Sequence, residues 1–263
     1  MTATAKQDQP ICVCLGLGVD SVAMLVGMEQ RGIRPDLITF ADTGGEKPAT
    51  YLYAPILRQW LRDVDFPQFQ TCRYVPPIAT YRTLYENCER HETIPSLAFG
   101  RKACSLKWKR DAQEPLRKRL PENVQAWSAG RKVIKCIGFD ATERRRTYAA
   151  VGKELDEYDY SYPLQDWGWT RDHCKRVIAD AGLPVPVKSA CFFCPAMKKA
   201  EIHELRRTDP DLYEKAIALE TGYREGKHWR GDAATTQGLG RRFAWATLPV
   251  IQDRQLTLFD CGG

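Results

Sequence analysis

No apolar run in this chain approaches the ~20 residues that a membrane-spanning helix needs, so no membrane partner is expected. The first ten residues, MTATAKQDQP, lack the apolar core of a secretion signal, and the expected location is cytoplasmic. Histidine is scarce. The four histidines, His91, His173, His203 and His228, are scattered without the paired spacing of a metal site or a catalytic triad, and read as surface or helix residues. A strong excess of one charge is also missing. The 39 Lys and Arg against 33 Asp and Glu leave a net +6, which suits an anionic substrate or a nucleic acid and demands neither. There is no internal repeat, no low-complexity tract and no Gly-Lys-Ser/Thr phosphate loop of the Walker type.

What is present is ordinary globular material with an unusual thiol content. With 263 residues and 43% hydrophobic side chains, the chain is large enough for one sizeable domain with an appendage. Ten cysteines are many for a reducing compartment, where disulfides are rare, so metal binding or thiol chemistry is expected for some of them. Apolar strands at Ile11–Leu15 and 37–40 alternate with helices at 21–30 and Pro48–Asp63. Short links between them imply a parallel sheet. A third buried strand is read at 133–139, and helices at 80–90, 112–120, 170–181, 198–207 and 210–221. The expected class is α/β, a doubly wound and mostly parallel sheet with a helical C-terminal appendage. Residues 10–185 are expected to form the domain built on that sheet, and residues 186–263 to carry Cys-x-x-Cys and a helical region packed on it.

The junction Gly16-Leu-Gly-Val-Asp-Ser21 follows the first strand and opens the first helix. Glycines let the backbone approach a phosphate, and free N–H groups at the helix start point at the charge. Ser21 adds a hydroxyl donor. Asp20 repels an anion unless it holds the loop, caps the helix or helps to bind magnesium. On loop physics alone, phosphate binding and a tight turn with an Asp cap both stand.

This stretch resembles the Ser-Gly-Gly-x-Asp-Ser signature of the PP-loop ATP pyrophosphatases, with Gly16 at the first serine, Leu17 at the first paired glycine, and Gly18, Asp20 and Ser21 matching. Further blocks resemble the phosphoadenosine-phosphosulfate (PAPS) reductase-like branch, in the same order, over about residues 11–215. They are FADTGGEKPATY, RKACSLKWKRDAQEPL, IGFDATERRR, YPLQDWGWTRDHC and KSACFFCP. The resemblance implies the fold of the adenine nucleotide α-hydrolases. It also implies ATP with Mg2+ as ligands and cleavage between the α and β phosphates. Gly16, Gly18, Asp20, Ser21, Phe40, Asp42 and Gly138 would bind the nucleotide, with Asp20, Ser21, Lys107 and Arg146 in catalytic roles. Lys109 and Arg171 are further candidates for phosphate contact, since developing charge on the α-phosphate needs cations nearby.

Cys191 and Cys194 have a spacing that puts two thiolates on one metal or makes a redox pair. The resemblance adds Cys104 and implies a 4Fe–4S cluster held by three cysteines with one iron open. Zinc on the same residues and metal-free persulfide chemistry remain alternatives. Phe192 and Phe193 would shield such a cluster or pack in the core. Trp108, Trp167 and Trp169 neighbour basic residues and either stack a nucleobase or pack. Together the resemblance implies adenylation of a nucleic-acid or nucleobase oxygen followed by sulfur insertion. DNA phosphorothioation is the favoured case, with DNA as acceptor, a cysteine desulfurase as sulfur donor, and a homo-oligomer allowed. The alternatives are a reductase of APS or PAPS, thiolation of tRNA or a free base, and a non-catalytic nucleotide-binding subunit.

Overall fold

The computed structural model describes residues 9–78, 80–95, 104–144, 156–229, 231 and 235–250. The elements, in chain order, are β1 (Ile11–Leu15), α1 (Val19–Gln30), β2 (Leu37–Ala41), α2 (Pro48–Asp63), β3 (Gln70–Cys72) and α3 (Leu84–Arg90). A π-helix (Ser105–Asp111) leads into α4 (Ala112–Arg119) and α5 (Pro121–Ser128). There follow β4 (Val133–Ile137), β5 (Tyr158–Ser161), α6 (Pro163–Asp166), α7 (Arg171–Asp180), α8 (Lys199–Thr208) and α9 (Pro210–Glu225). No helix among the described residues is long and apolar enough to cross a membrane.

The chain divides into two compact units, one of Met1–Val75 with Ser105–Ala190, the other of Pro76–Cys104 with Cys191–Gly263. The first unit is an α/β layer structure. Its five strands are all parallel, in the order β3-β2-β1-β4-β5. Chain direction around the sheet reverses between β1 and β4, and the carboxyl ends of two such strands form the crevice where doubly wound sheets take ligands.

Alternation along β1 sends its side chains to two unlike faces. Ile11, Val13 and Leu15 join Ile38, Phe40 and Cys136 in a core with Val22 and Leu25 of α1, Leu57 and Leu61 of α2, and Cys174 and Ile178 of α7. Cys12 and Cys14 point to the opposite face, under α4 and α5, where burial is polar. Arg117 is fully buried there, ion-paired to Glu114, and donates to Gln113 Oε1 at 2.8 Å and Cys14 Sγ at 3.1 Å. Glu114 also receives Lys135 Nζ at 3.3 Å and Tyr158 Oη at 2.8 Å. Lys135 can sit in the middle of an apolar strand because a buried cation with a hydrogen-bonded carboxylate avoids the cost of an unpaired charge.

The second unit is helical. Thr83 and Glu86 form a reciprocal cap on α3. Tyr85 lies against the rings of Phe192 and Phe193, at centroid separations of 5.6 and 5.5 Å. Glu220, 1% exposed on α9, accepts hydrogen bonds from the amides of Leu239, Trp245 and Ala246 at 2.6, 2.9 and 3.1 Å. These three bonds hold an irregular segment to the helix.

Candidate nucleotide site

β1 ends at Leu15 and α1 begins at Val19, so the connection is three residues long. Gly18 is the N-cap in an extended conformation and supplies no side chain, which leaves the first amides of α1 without a side-chain acceptor from the cap. Exposure alternates along the turn: Leu15, Leu17 and Val19 are buried, while Gly16, Gly18 and Asp20 are partly exposed. Leu17 adopts a left-handed φ of 55° with its side chain wholly buried. A non-glycine residue there carries a cost of about 1–3 kcal/mol, which burial of the leucine offsets. Ser21 braces the turn from inside, accepting from the Gly16 amide at 3.1 Å and donating to the Gly18 carbonyl at 3.1 Å.

Two neighbours close on this turn. A Cβ placed on Gly138, just past β4, would lie 3.1 Å from the Asp20 carbonyl and from Ser21 Cα. Glycine at 138 therefore brings the end of β4 against the first turn of α1. A Cβ placed on Gly18 would lie 2.9 Å from Ser189 Oγ and 3.4 Å from the Ser189 amide.

Beside the turn stand three carboxylates. Oxygen atoms of Asp20, Asp140 and Glu143 all lie within 4.8 Å of one another. Asp140, 4% exposed, accepts from the Thr142 amide at 2.8 Å and the Thr142 hydroxyl at 2.5 Å through one oxygen. Asp20 is ion-paired with Arg171, the first residue of α7, at 2.8 Å. Even so, burial pushes the Asp20 carboxyl up to about 6. Asp140 and Glu143 push the same way, and Arg171 opposes them. Three carboxylates thus meet within a few ångströms, with Arg171 on one of them. That is the donor set for a hard divalent cation, which takes oxygen ligands.

The remaining residues singled out from sequence take several positions. Phe40 is 4% exposed and packs edge-on to Phe69, so β2 offers backbone and not this ring at its end. Asp42 accepts from the Gly44 amide and Tyr51 hydroxyl at 2.8 Å each, and from Arg73 Nε and Nη2 at 3.0 and 2.5 Å. Its carboxylate fixes the turn after β2. In the π-helix, Lys107 lies over the Tyr74 ring at 4.8 Å and Lys109 pairs with Glu46 at 3.0 Å. Trp108, between them, is 3% exposed and packs on Tyr74, so its ring is not a surface for a base. Trp167 and Trp169 also pack, beneath the Arg31 guanidinium at 4.2 and 5.0 Å. Arg146 lies outside the described residues.

Cys104, Cys191 and Cys194 all belong to the second unit. Cys191 is buried, and the Cys194 amide donates to the Cys191 carbonyl at 3.0 Å, so the pair shares one tight turn. The three thiols do not form a close group of the kind the acidic trio makes among the described residues. A single zinc with bonds of about 2.3 Å would bring its thiolates within ~4 Å of one another, whereas a cluster spreads them over separate irons.

Sequence reasoning did not single out Asp140 or Ser189. Asp140 lies inside the GFDATE block, two residues after Gly138 and three before Glu143, and the resemblance is carried by those flanking residues. Ser189 lies two residues before Cys191 and carries no local signal of its own. The chain matches no protein-family model and no curated protein sequence.

Proposed function

We propose that the first unit binds ATP with Mg2+ and transfers its adenylyl group to an oxygen of a nucleic acid, as the activating step of sulfur insertion. The observation that carries this reading is the adjacency of an anion-accepting turn and an acidic trio at the reversal point of an all-parallel sheet. A polyphosphate with its counter-cation needs both. In the reaction an acceptor oxygen attacks the α-phosphorus, the bond from that phosphorus to the bridging oxygen breaks, and pyrophosphate leaves. Sulfide then displaces AMP, which departs with the activated oxygen. For a DNA phosphate as acceptor the product is a phosphorothioate; a cysteine desulfurase is the sulfur source, and a thiol reductant supplies the two electrons that take the outer sulfur of its persulfide to sulfide, itself becoming a disulfide.

The chain's own groups divide the work. The amides at the start of α1 face the β and γ phosphates, and Ser21 holds the turn in shape. Arg171, now on Asp20, is within reach of developing charge once a cation neutralises that carboxylate. Asp20, Asp140 and Glu143 would hold Mg2+, which supplies charge neutralisation for the leaving pyrophosphate. Cys104, Cys191 and Cys194 are an all-thiolate donor set and would hold a 4Fe–4S cluster, which supplies the sulfur chemistry. Reduction of APS or PAPS is the weaker reading, because three carboxylates beside the turn repel an anionic sulfonucleotide that brings no cation.

Pyrophosphate release from ATP, measured with and without DNA or RNA and with and without Mg2+, tests the reading. Asp20→Ala and Ser21→Ala are expected to abolish release. A full rate in either variant, or sulfite from PAPS with a thiol reductant and no turnover of ATP, overturns it.

A further inference from the structure

We infer that Ser189 completes the phosphate turn: its hydroxyl and amide supply the donors that the turn's own first position, Gly16, does not carry. The inference rests on the reading of this turn as a polyphosphate site. Inside the turn the one hydroxyl is already committed, since the Ser21 proton goes to the Gly18 carbonyl. Ser21 therefore has no proton for a phosphate oxygen without releasing the turn it braces. Gly16 has no side chain to offer.

Ser189 stands where that donor is missing. Its Oγ is 3.7 Å from a Cβ built on Gly16 and 2.9 Å from one built on Gly18, so it faces the bare side of both glycines. Neither its hydroxyl nor its amide makes a hydrogen bond among the described residues. The residue is partly exposed, as Gly16 and Gly18 are, so a ligand meets all three from solvent. The segment that delivers it is fixed in advance. Leu183 packs into the core below, Pro186 is buried, and Pro184 and Pro186 restrict the backbone between α7 and Ser189. A donor held in place before the ligand arrives loses little freedom on binding.

The structure also indicates how to move the hydroxyl. Gly16 has no left-handed φ, and its added Cβ would find ordinary van der Waals distance to both Ser189 Oγ and Ser21 Oγ. Gly16→Ser therefore places a hydroxyl beside Ser189 without strain, and it should substitute for the one removed in Ser189→Ala.

Titration calorimetry of the full chain with magnesium pyrophosphate is the test, with the thermal midpoint as a folding control. Loss of one charge-assisted donor is expected to weaken binding about tenfold or more in Ser189→Ala. Ser189→Thr should stay near wild type, and the double variant Gly16→Ser/Ser189→Ala should recover most of the loss. A merely structural Ser189 would not be rescued from Gly16. Wild-type binding with unchanged affinity in Ser189→Ala, or no recovery in the double variant, overturns this inference alone. Absence of binding by the wild-type protein overturns the underlying site as well.

Discussion

Replacing Asp20 with asparagine should stabilise the protein in the absence of divalent cation while abolishing the proposed release of pyrophosphate. Asp20 has a carboxyl raised from 3.8 to about 6, chiefly by burial, with Asp140 and Glu143 adding to the effect. At 1.36 kcal/mol per pH unit, that gap corresponds to about 3 kcal/mol withdrawn from stability when the group is fully ionised. The side chain is only 14% exposed, so solvent screening reduces this little. The Arg171 attraction is already contained in the raised value, and an asparagine oxygen can still accept from Arg171. Asp20→Asn is therefore expected to gain about 2–3 kcal/mol at pH 8. The folded value lies above the unfolded one, so wild-type stability falls as pH rises from about 4 through about 6 and then levels. The advantage of the variant should follow that course, near zero at pH 4 and full above pH 7. Magnesium at a hundredfold excess over its dissociation constant adds about 2.7 kcal/mol to a protein that binds it, which would bring the wild type level with the variant. Urea unfolding at pH 4, 6 and 8, with and without Mg2+, reads all of this. A variant no more stable than wild type at pH 8 without cation, or an advantage independent of pH, refutes the reasoning.

Three further outcomes are expected. Glu220→Ala leaves the amides of Leu239, Trp245 and Ala246 buried without their acceptor and should cost about 3–5 kcal/mol. Faster hydrogen exchange at those amides would accompany that cost, and a loss under about 1 kcal/mol would contradict it. Gly27→Ala puts a Cβ 2.4 Å from the Trp167 ring, which is held under Arg31. The thermal midpoint should fall by several degrees, as overpacking of about 1–3 kcal/mol outweighs the gain in helix propensity of up to ~1 kcal/mol; a higher midpoint would show that the rings yield. Cys191→Ser should remove iron from anaerobically purified protein, and sulfur transfer with it, while ATP-dependent pyrophosphate release persists. Wild-type iron content in that variant would exclude Cys191 as a ligand.

The parts of the fold legible in the sequence are those with a strong local signal. β1 stands out as a continuous apolar run, and α2 as a helix with proline at its first position. α1 starts two residues earlier than the hydrophobic pattern implies. Gly18 is the cap there and Asp20 falls in the first turn. The edge strands are silent for a physical reason. β3 is Gln-Thr-Cys and β5 is Tyr-Asp-Tyr-Ser, and neither has an apolar run because each is paired on one side only. The second unit takes residues 76–104 from before the π-helix and joins them to 191–263. That is a long-range association, and no periodicity encodes it.

The site divides along the same line. Its backbone part was legible because Gly16 and Gly18 mark a tight turn after an apolar strand and Gly138 a strand end that presses on the first turn of α1. Asp140 and Ser189 come from the far side of the sheet reversal and from the end of the segment after α7, and only topology brings them to β1. Their arrival changes the electrostatic argument. From the sequence, Asp20 stands alone as an awkward carboxylate beside a phosphate turn. In the fold it is one of three, with Arg171 as its counter-charge. A polyphosphate arriving alone would set its own negative charge beside those carboxylates. A cation arriving alone would gain the carboxylates but leave the amides of the turn and of Ser189 without an acceptor. Each ligand supplies what the other's site is missing, so binding of the two should be mutually reinforcing, with the affinity for pyrophosphate rising with magnesium and the affinity for magnesium rising by the same factor with pyrophosphate.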